Sequence, residues 1–252
     1  MKNYFLAFVF SIQFLTRIPI PVSVKPEKAV AGKSLFFFPL VGWLLGSFFY
    51  CLWLIMESSG VFTSLTAAVL IITAEVFITG AFHLDGLADT FDAFLSPATT
   101  PEEKLSIMKD SRIGVMGAVS LVLSFLIKSA LLYEAFSNNA GQVLLIYPVL
   151  GRWTQVAGYF TSPYIRKGGI GSLFSQGMTG RIFLGTTLWL IPCFLIFPTP
   201  FLASFLLMIV FLFGFRLYVH RHIGGITGDI LGAMTVLSEI IFIGGIVIFS
   251  KL

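Results

Sequence analysis

Apolar residues run in long blocks along this chain, separated by short polar connections that carry most of the charge. A helix needs about 20 apolar residues, within a range of about 17–25, to cross a bilayer core. Seven blocks meet or approach that length: residues 34–56, 61–82, 114–136, 143–160, 182–197, 201–217 and 230–249. The fifth and sixth are short, which fits either a tilted span or a partly re-entrant one. A further block, residues 4–15, would be about 18 Å long as a helix, too short to cross alone. The pattern predicts an all-α, polytopic helical membrane protein. It has about seven transmembrane helices plus a short N-terminal interfacial or half-inserted helix, and no repeat or second domain interrupts it.

Composition removes the soluble alternatives. Of the 252 residues, 57% are hydrophobic and 11% charged, and 28 are phenylalanine. The mean hydropathy is +0.95. A soluble domain carries about 45–50% apolar and about 25% charged residues, so this chain has too little polar surface to cover a water-soluble globule. Disordered, collagenous and disulfide-scaffold classes fall to the same arithmetic. Cys51 and Cys193 both lie inside apolar blocks and read as small hydrophobes. Residues 4–15 lead into Thr16-Arg17-Ile18-Pro19 rather than a small-residue cleavage site, so a cleavable signal is not expected.

The charges sort by side. One set of connections holds Arg17, Lys25, Lys28 and Lys33, then Lys104, Lys109 and Arg112, then Arg166, Lys167 and Arg181, and finally Arg216 and Arg221. The opposite set, residues 57–60, 137–142 and 198–200, has no Lys or Arg, and only Lys251 lies on that side. The positive-inside rule then places the N-terminus and the long polar loops in the cytoplasm. The net charge of +4 is thus a matter of topology. The expected surroundings are a lipid bilayer, with no nucleic-acid partner.

The chemistry concentrates on that same side. The chain's five aspartates are Asp85, Asp89, Asp92, Asp110 and Asp229. If the second span continues as a helix, Asp85, Asp89 and Asp92 form an i, i+4, i+7 stripe on one face. Like charges at that spacing repel unless a cation sits among them. Carboxylates suit Mg²⁺, which is typically held by one or two of them plus substrate phosphates. The competing reading is a solvated acidic turn.

A second segment, Lys109-Asp110-Ser111-Arg112-Ile113-Gly114, precedes the third span. Asp110 suits a further ligand or a general base, and Lys109 and Arg112 suit phosphate oxygens. Ser111 equally suits a helix N-cap, and a basic flank explains both cations. A third segment, Gly224-Gly225-Ile226-Thr227-Gly228-Asp229, leads into the last span. Glycines ahead of a helix N-terminus expose N–H groups to an anion, though they also merely permit a tight turn. His220, Arg221 and His222 read as a basic interfacial flank. Arg166, Lys167 and Gly168-Gly169-Ile170-Gly171 add a flexible basic loop. Four charges fall inside the spans: Glu75, Lys128, Arg152 and Glu239. Each is costly in hydrocarbon. Glu75 and Arg152 are expected to pair, or Arg152 to reach a ligand from the cavity floor, and Lys128 to snorkel outward. Together these features describe a cytoplasm-facing pocket for a phosphoanhydride, with metal, cations and a carboxylate base.

The motifs carry a resemblance over most of the chain, in matching order. They are Phe14-Leu15-Thr16-Arg17-Ile18-Pro19-Ile20-Pro21, Phe38-Pro39-Leu40-Val41-Gly42 and Gly80-Ala81-Phe82-His83-Leu84-Asp85-Gly86-Leu87-Ala88-Asp89-Thr90. Then come Ile107-Met108-Lys109-Asp110-Ser111-Arg112-Ile113-Gly114, Gly151-Arg152 and Gly225-Ile226-Thr227-Gly228-Asp229. The chain resembles the cobalamin synthase family, adenosylcobinamide-GDP ribazoletransferases. The resemblance implies a single integral membrane catalytic domain over residues 1–252, in a bacterial or archaeal cytoplasmic (inner) membrane. It implies a Mg²⁺-dependent joining of adenosylcobinamide-GDP to α-ribazole or its 5′-phosphate with release of GMP, at the final stage of cobalamin assembly.

On that footing Asp85, Asp89, Asp110 and Asp229 are the catalytic candidates, and Asp85, Asp89 and Asp92 the metal candidates. His83, Lys109, Arg112, Arg152, Arg166, Gly225 and Gly228 are the candidates for holding substrate and phosphate. A homo-oligomer, or a complex with other cobalamin-assembly enzymes, stays open. The acidic motif departs from the CDP-alcohol phosphotransferase pattern, DGxxARx₈GxxxDxxxD, because no Arg follows Ala88. A lipid-directed enzyme of that type, or a membrane carrier built on Glu75, Arg152 and Glu239, are the alternative readings.

Overall fold

The computed structural model describes residues 2–196 and 198–251. Helix α1 is Lys2–Leu15, and α2 (Lys28–Ser34) runs through a 3₁₀ turn at Leu35–Phe37 into α3 (Phe38–Ser59). There follow α4 (Ser64–Thr79), α5 (Phe82–Phe94), α6 (Pro101–Ile107), α7 (Val115–Ser137) and α8 (Val143–Thr161). The chain ends with α9 (Gly169–Gly177), α10 (Gly180–Leu188), α11 (Ile191–Ile196), α12 (Pro198–Ile223) and α13 (Gly228–Phe249). Among the described residues the only extended pairing is an isolated bridge between Tyr164 and Ile226.

The helical membrane class expected from the pattern is what the chain adopts; the count of spans differs. Four helices are long and apolar enough to cross a bilayer alone: Lys28–Ser59, Val115–Ser137, Thr199–Ile223 and Gly228–Phe249. Two pairs bent by more than 40° bring the number up to six if each is counted as one span. The block at 61–82 is one of these. Helix α4 stops at Gly80 and Ala81, both left-handed with φ of 65° and 58°, and α5 departs at 93° to α4. A left-handed alanine costs about 1–2 kcal/mol, so the surroundings must hold it. The Arg17 backbone N–H donates to the Ile78 carbonyl at 2.6 Å, and the Arg17 side chain packs over Gly80. The other pair bends by 92° between α9 and the stretch Gly180–Ile196; within that stretch the block at 182–197 is divided into α10 and α11, and its last residue lies outside the described ones.

Helix α8, the fourth expected span, is long enough to cross but is buried along most of its length. Its lining is protein, so it tolerates Arg152 and Gln155 where a lipid-facing helix would not. It lies between α3 and α13. Gly42 and Gly46 of α3 allow this contact, because a Cβ at either would fall 2.6–2.7 Å from the α8 backbone.

Four charged side chains tie the bundle together from inside. Lys128 Nζ of α7 lies 2.7 Å from Glu75 Oε2 of α4 and 2.7 Å from Glu239 Oε2 of α13. Arg152 of α8 donates to the other oxygen of Glu239 at 2.6 Å, and the Tyr147 hydroxyl donates to Glu75 at 3.1 Å. Lys128 therefore does not snorkel outward; two carboxylates neutralise it in the core. Arg152 pairs with Glu239 rather than with Glu75. Removing one member of a buried ion pair leaves an uncompensated charge and costs about 3–5 kcal/mol. Lys128→Met is expected to lower the thermal stability of the detergent-solubilised protein by that order. Adding Glu75→Gln should restore part of the loss. A single variant melting with the wild type would show that the ion pairs contribute nothing.

Candidate active site

The right-angle turn at Gly80-Ala81 sets α5 across the end of the bundle, packed against α13 and α7. The approach to α13 is close because Gly86 has no side chain: a Cβ there would lie 2.7 Å from the Asp229 carbonyl oxygen. Leu87, Ala88, Thr90 and Ala93 of α5 are buried, which turns Asp85 outward and leaves Asp89 half-buried. These two carboxylates line a cavity of about 490 Å³. Lys109, Asp110 and Arg112 form its polar wall, and Val76, Leu121 and Phe125, from the spans beneath, form its apolar floor.

The five aspartates separate by what they touch. Asp110 is held by Arg112, whose guanidinium donates to both carboxylate oxygens at 2.6–3.2 Å. Those hydrogen bonds keep its pKa at about 2. Asp229 lies 2.7 Å from Arg166 and accepts from the Thr227 hydroxyl at 3.3 Å. Asp92 accepts the Gly114 N–H on Oδ2 and the Gly117 N–H on Oδ1, each at 2.7 Å. Among the described residues, Asp85 and Asp89 have no hydrogen-bonding or ionic side-chain partner. Partial burial of Asp89, then the nearby charges of Asp229 and Asp85, push its pKa up to about 7, against the pull of Arg166.

This arrangement corrects the sequence reading in several places. Asp92 belongs to the acidic stripe, yet both its oxygens are spent on the N-terminus of α7. That helix begins after Gly114, which has no side chain, so a carboxylate from α5 satisfies N–H groups that Ser111 was expected to cap. Among the described residues no three Asp, Glu, His or Cys side chains converge to encage a metal; the three-aspartate ligand set is not assembled. Arg152 is 1% exposed and committed to Glu239, below the cavity rather than in it. His83 is buried, its Nε2 2.8 Å from Gln155 Nε2, so it faces α8 and not the cavity.

The glycine-rich turn serves a different purpose from an anion cradle. Thr227 caps α13 by accepting the Ile230 N–H at 3.3 Å. Ile226 exchanges backbone hydrogen bonds with Pro163 and Ile165 at 2.9 and 3.0 Å. Gly225 fits because a Cβ would strike the Pro163 carbonyl. Neither Gly225 nor Gly228 lines the cavity. Arg166 also reaches the Met108 carbonyl at 3.2 Å, so it ties the loop after α8 to the end of α6 and the start of α13. Lys109, Asp110, Arg112, Asp85 and Asp89 are the predicted residues that share the cavity. Its apolar floor went unforeseen; no signal separates Val76, Leu121 and Phe125 from their lipid-facing neighbours in sequence.

The fold and site define a helical membrane protein with a carboxylate-bearing, cation-flanked cavity. The Cobalamin-5-phosphate synthase family model matches residues 7–247. A protein of Pseudomonas fluorescens named adenosylcobinamide-GDP ribazoletransferase is 36% identical over 97% of this chain and 100% of its own. Proteins of the same name from Desulfitobacterium hafniense and Clostridioides difficile are 37% and 34% identical. The alignments cover 93% and 94% of this chain, and 94% and 95% of those relatives. No solved structure matches. The chain belongs to the Cobalamin-5-phosphate synthase family.

Two measurements check this geometry. Asp92→Ala should destabilise the protein by about 1–2 kcal/mol, the cost of a lost helix cap, read as a lower melting temperature. For Asp89, a folded pKa of about 7 lies above the free carboxylate value of about 3.9. Between those values the folded protein holds a proton that the unfolded chain has released. Its contribution is therefore most favourable below about pH 4, falls as pH rises toward 7, and is flat above. The melting-temperature difference between Asp89→Asn and wild type should widen in favour of the variant over that window. A constant difference would contradict the raised pKa.

Proposed function

We propose that this cavity transfers the adenosylcobinamide phosphate group of adenosylcobinamide-GDP to α-ribazole or α-ribazole 5′-phosphate, giving adenosylcobalamin or its 5′-phosphate and GMP. The observation that carries the reading is the pair of unpartnered carboxylates, Asp85 and Asp89, facing Lys109 and Arg112 across one cavity. The name borne by the relatives supports the choice of substrates. Two carboxylates without a third fit Mg²⁺, which shares its coordination with substrate phosphates. Asp85, the more exposed of the two, would hold it together with the substrate phosphates; the ion would neutralise charge on the pyrophosphate and on the departing GMP.

The rest of the step falls to this chain's own groups. A ribose hydroxyl of the acceptor attacks the phosphorus on the cobinamide side. The new O–P bond forms as the anhydride P–O bond breaks, and GMP leaves with the bridging oxygen. Lys109 supplies the free positive charge on the opposite wall, and Arg112, ion-paired to Asp110, keeps exposed N–H donors for phosphate oxygens. The hydroxyl proton needs an acceptor tuned near neutrality. Asp110, at about 2, is a poor one, and Asp229 is engaged by Arg166, which leaves Asp89, pushed up to about 7. A second cavity of about 450 Å³ lies on the other side of Asp110 and Arg112, so this loop stands between two open spaces.

The reading places the protein in a bacterial or archaeal cytoplasmic membrane, with α5 and the basic loops toward the cytoplasm. It is supported by the one-sided distribution of Lys and Arg. The test is product analysis with purified protein, adenosylcobinamide-GDP, α-ribazole phosphate and Mg²⁺, against an EDTA control. GMP and the cobalamin product should appear only with the metal. Asp85→Asn and Asp89→Asn should each lower kcat by about 10²-fold or more. Full turnover in either folded variant, or in EDTA, would overturn the site assignment.

A further inference from the structure

A second feature of the bundle is unrelated to the carboxylates. Helices α8, α10, α12 and α13 line an open groove of about 440 Å³, within the range of about 300–1,000 Å³ typical of small-molecule sites. Trp153, Ala157, Phe183, Leu212 and Phe213 give it an apolar wall. Its one charged lining residue is Arg216. The half-buried Arg216 guanidinium donates through Nε to the Ser162 hydroxyl at 2.8 Å and through a terminal nitrogen to the Thr161 carbonyl.

No carboxylate neutralises Arg216 among the described residues. Arg112, Arg152 and Arg166 differ, each lying within 2.7 Å of an Asp or Glu oxygen. A guanidinium has five N–H donors, so Arg216 keeps donors to spare as well as an uncompensated charge. Its position gives the level in the membrane. Thr161 ends α8, and the strand-like stitch of Pro163–Ile165 to Ile226 follows at once. Arg216 therefore sits at the end of the bundle that carries Asp85 and Asp89, where helix ends meet lipid headgroups. An apolar slot between spans with a lone cation at its mouth has the chemistry of one molecule in its surroundings. The slot takes a hydrocarbon tail, and the planar guanidinium fork takes a phosphate.

We propose that this groove binds an anionic glycerophospholipid, with one acyl chain along Trp153 and Ala157 and the headgroup phosphate on Arg216. The inference is independent of the proposed reaction, because it concerns residues outside the carboxylate cavity.

Trp153 supplies the probe. The full chain is placed in bilayers in which brominated phosphatidylglycerol or brominated phosphatidylcholine replaces part of the host lipid. The Trp153 signal is isolated as the difference between wild type and Trp153→Phe. Brominated phosphatidylglycerol should quench it at about fivefold lower mole fraction than the zwitterionic lipid, the selectivity expected of one cationic side chain at the surface. Arg216→Gln should bring the two lipids together, and Arg216→Lys should restore the preference, which separates loss of charge from loss of folding. Ala157→Phe, which fills the groove and keeps Arg216, should weaken quenching by both. Equal quenching in the wild type, or a preference that survives Arg216→Gln, would overturn the proposal.

Discussion

Everything else in this molecule hangs on the neutralisation of four charges inside hydrocarbon. Glu75, Lys128, Glu239 and Arg152 come from α4, α7, α13 and α8, and two positive groups balance two negative ones. Any of the four alone would be expensive at that depth; together they are tolerated only while the four helices keep one register. The lattice thus converts a solvation penalty into a positional constraint. Lipid-filled bundles lack a hydrophobic force between helices. Here the constraint comes from ion pairs, and from Gly42 and Gly46 letting α3 touch α8 backbone to backbone.

The site inherits its geometry from that frame. Because α4 and α13 are fixed by Glu75 and Glu239, the turn at Gly80-Ala81 delivers α5 onto the start of α13, where Gly86 meets Asp229. Three of the five aspartates are then consumed in holding things in place: Asp92 on the start of α7, Asp110 on Arg112, Asp229 on Arg166. The two that remain are a helical turn apart and lack a counter-charge. Burial and the other carboxylates push Asp89 up to about 7, which makes its charged form locally unfavourable. Perturbation of that kind is characteristic of sites that bind or react.

Much of this was legible in the sequence, and the exceptions have physical causes. Block lengths and the one-sided basic residues predict a helical membrane protein, and the helical stripe of Asp85 and Asp89 predicts their common face. The bend between α4 and α5 was not legible because hydropathy runs unbroken from 61 to 82, and a backbone turn costs that scale nothing. Asp92 fits the stripe as well as its neighbours do; only the three-dimensional approach of Gly114 and Gly117 assigns it elsewhere. Lys128 read as a snorkelling lysine because its partners are 53 and 111 residues away. Arg152 sits in a motif yet points into the core, since recurrence of a residue pair does not distinguish a ligand contact from a structural one.

The floor of the carboxylate cavity ties the site to the apolar helices beneath it. Val76 and Phe125 belong to α4 and α7, whose outer faces include exposed Phe77, Val122 and Leu126. The same helices therefore present apolar side chains to lipid and, one turn around, to the cavity. The polar half comes from loops that those helices suspend. Detaching the site from the bilayer would leave Asp85 and Asp89 on a helix with nothing to hold its direction, because α5 is positioned by the spans it crosses. The direction of α5, and with it the placement of Asp85 and Asp89, thus depends on the packing of α4, α7 and α13.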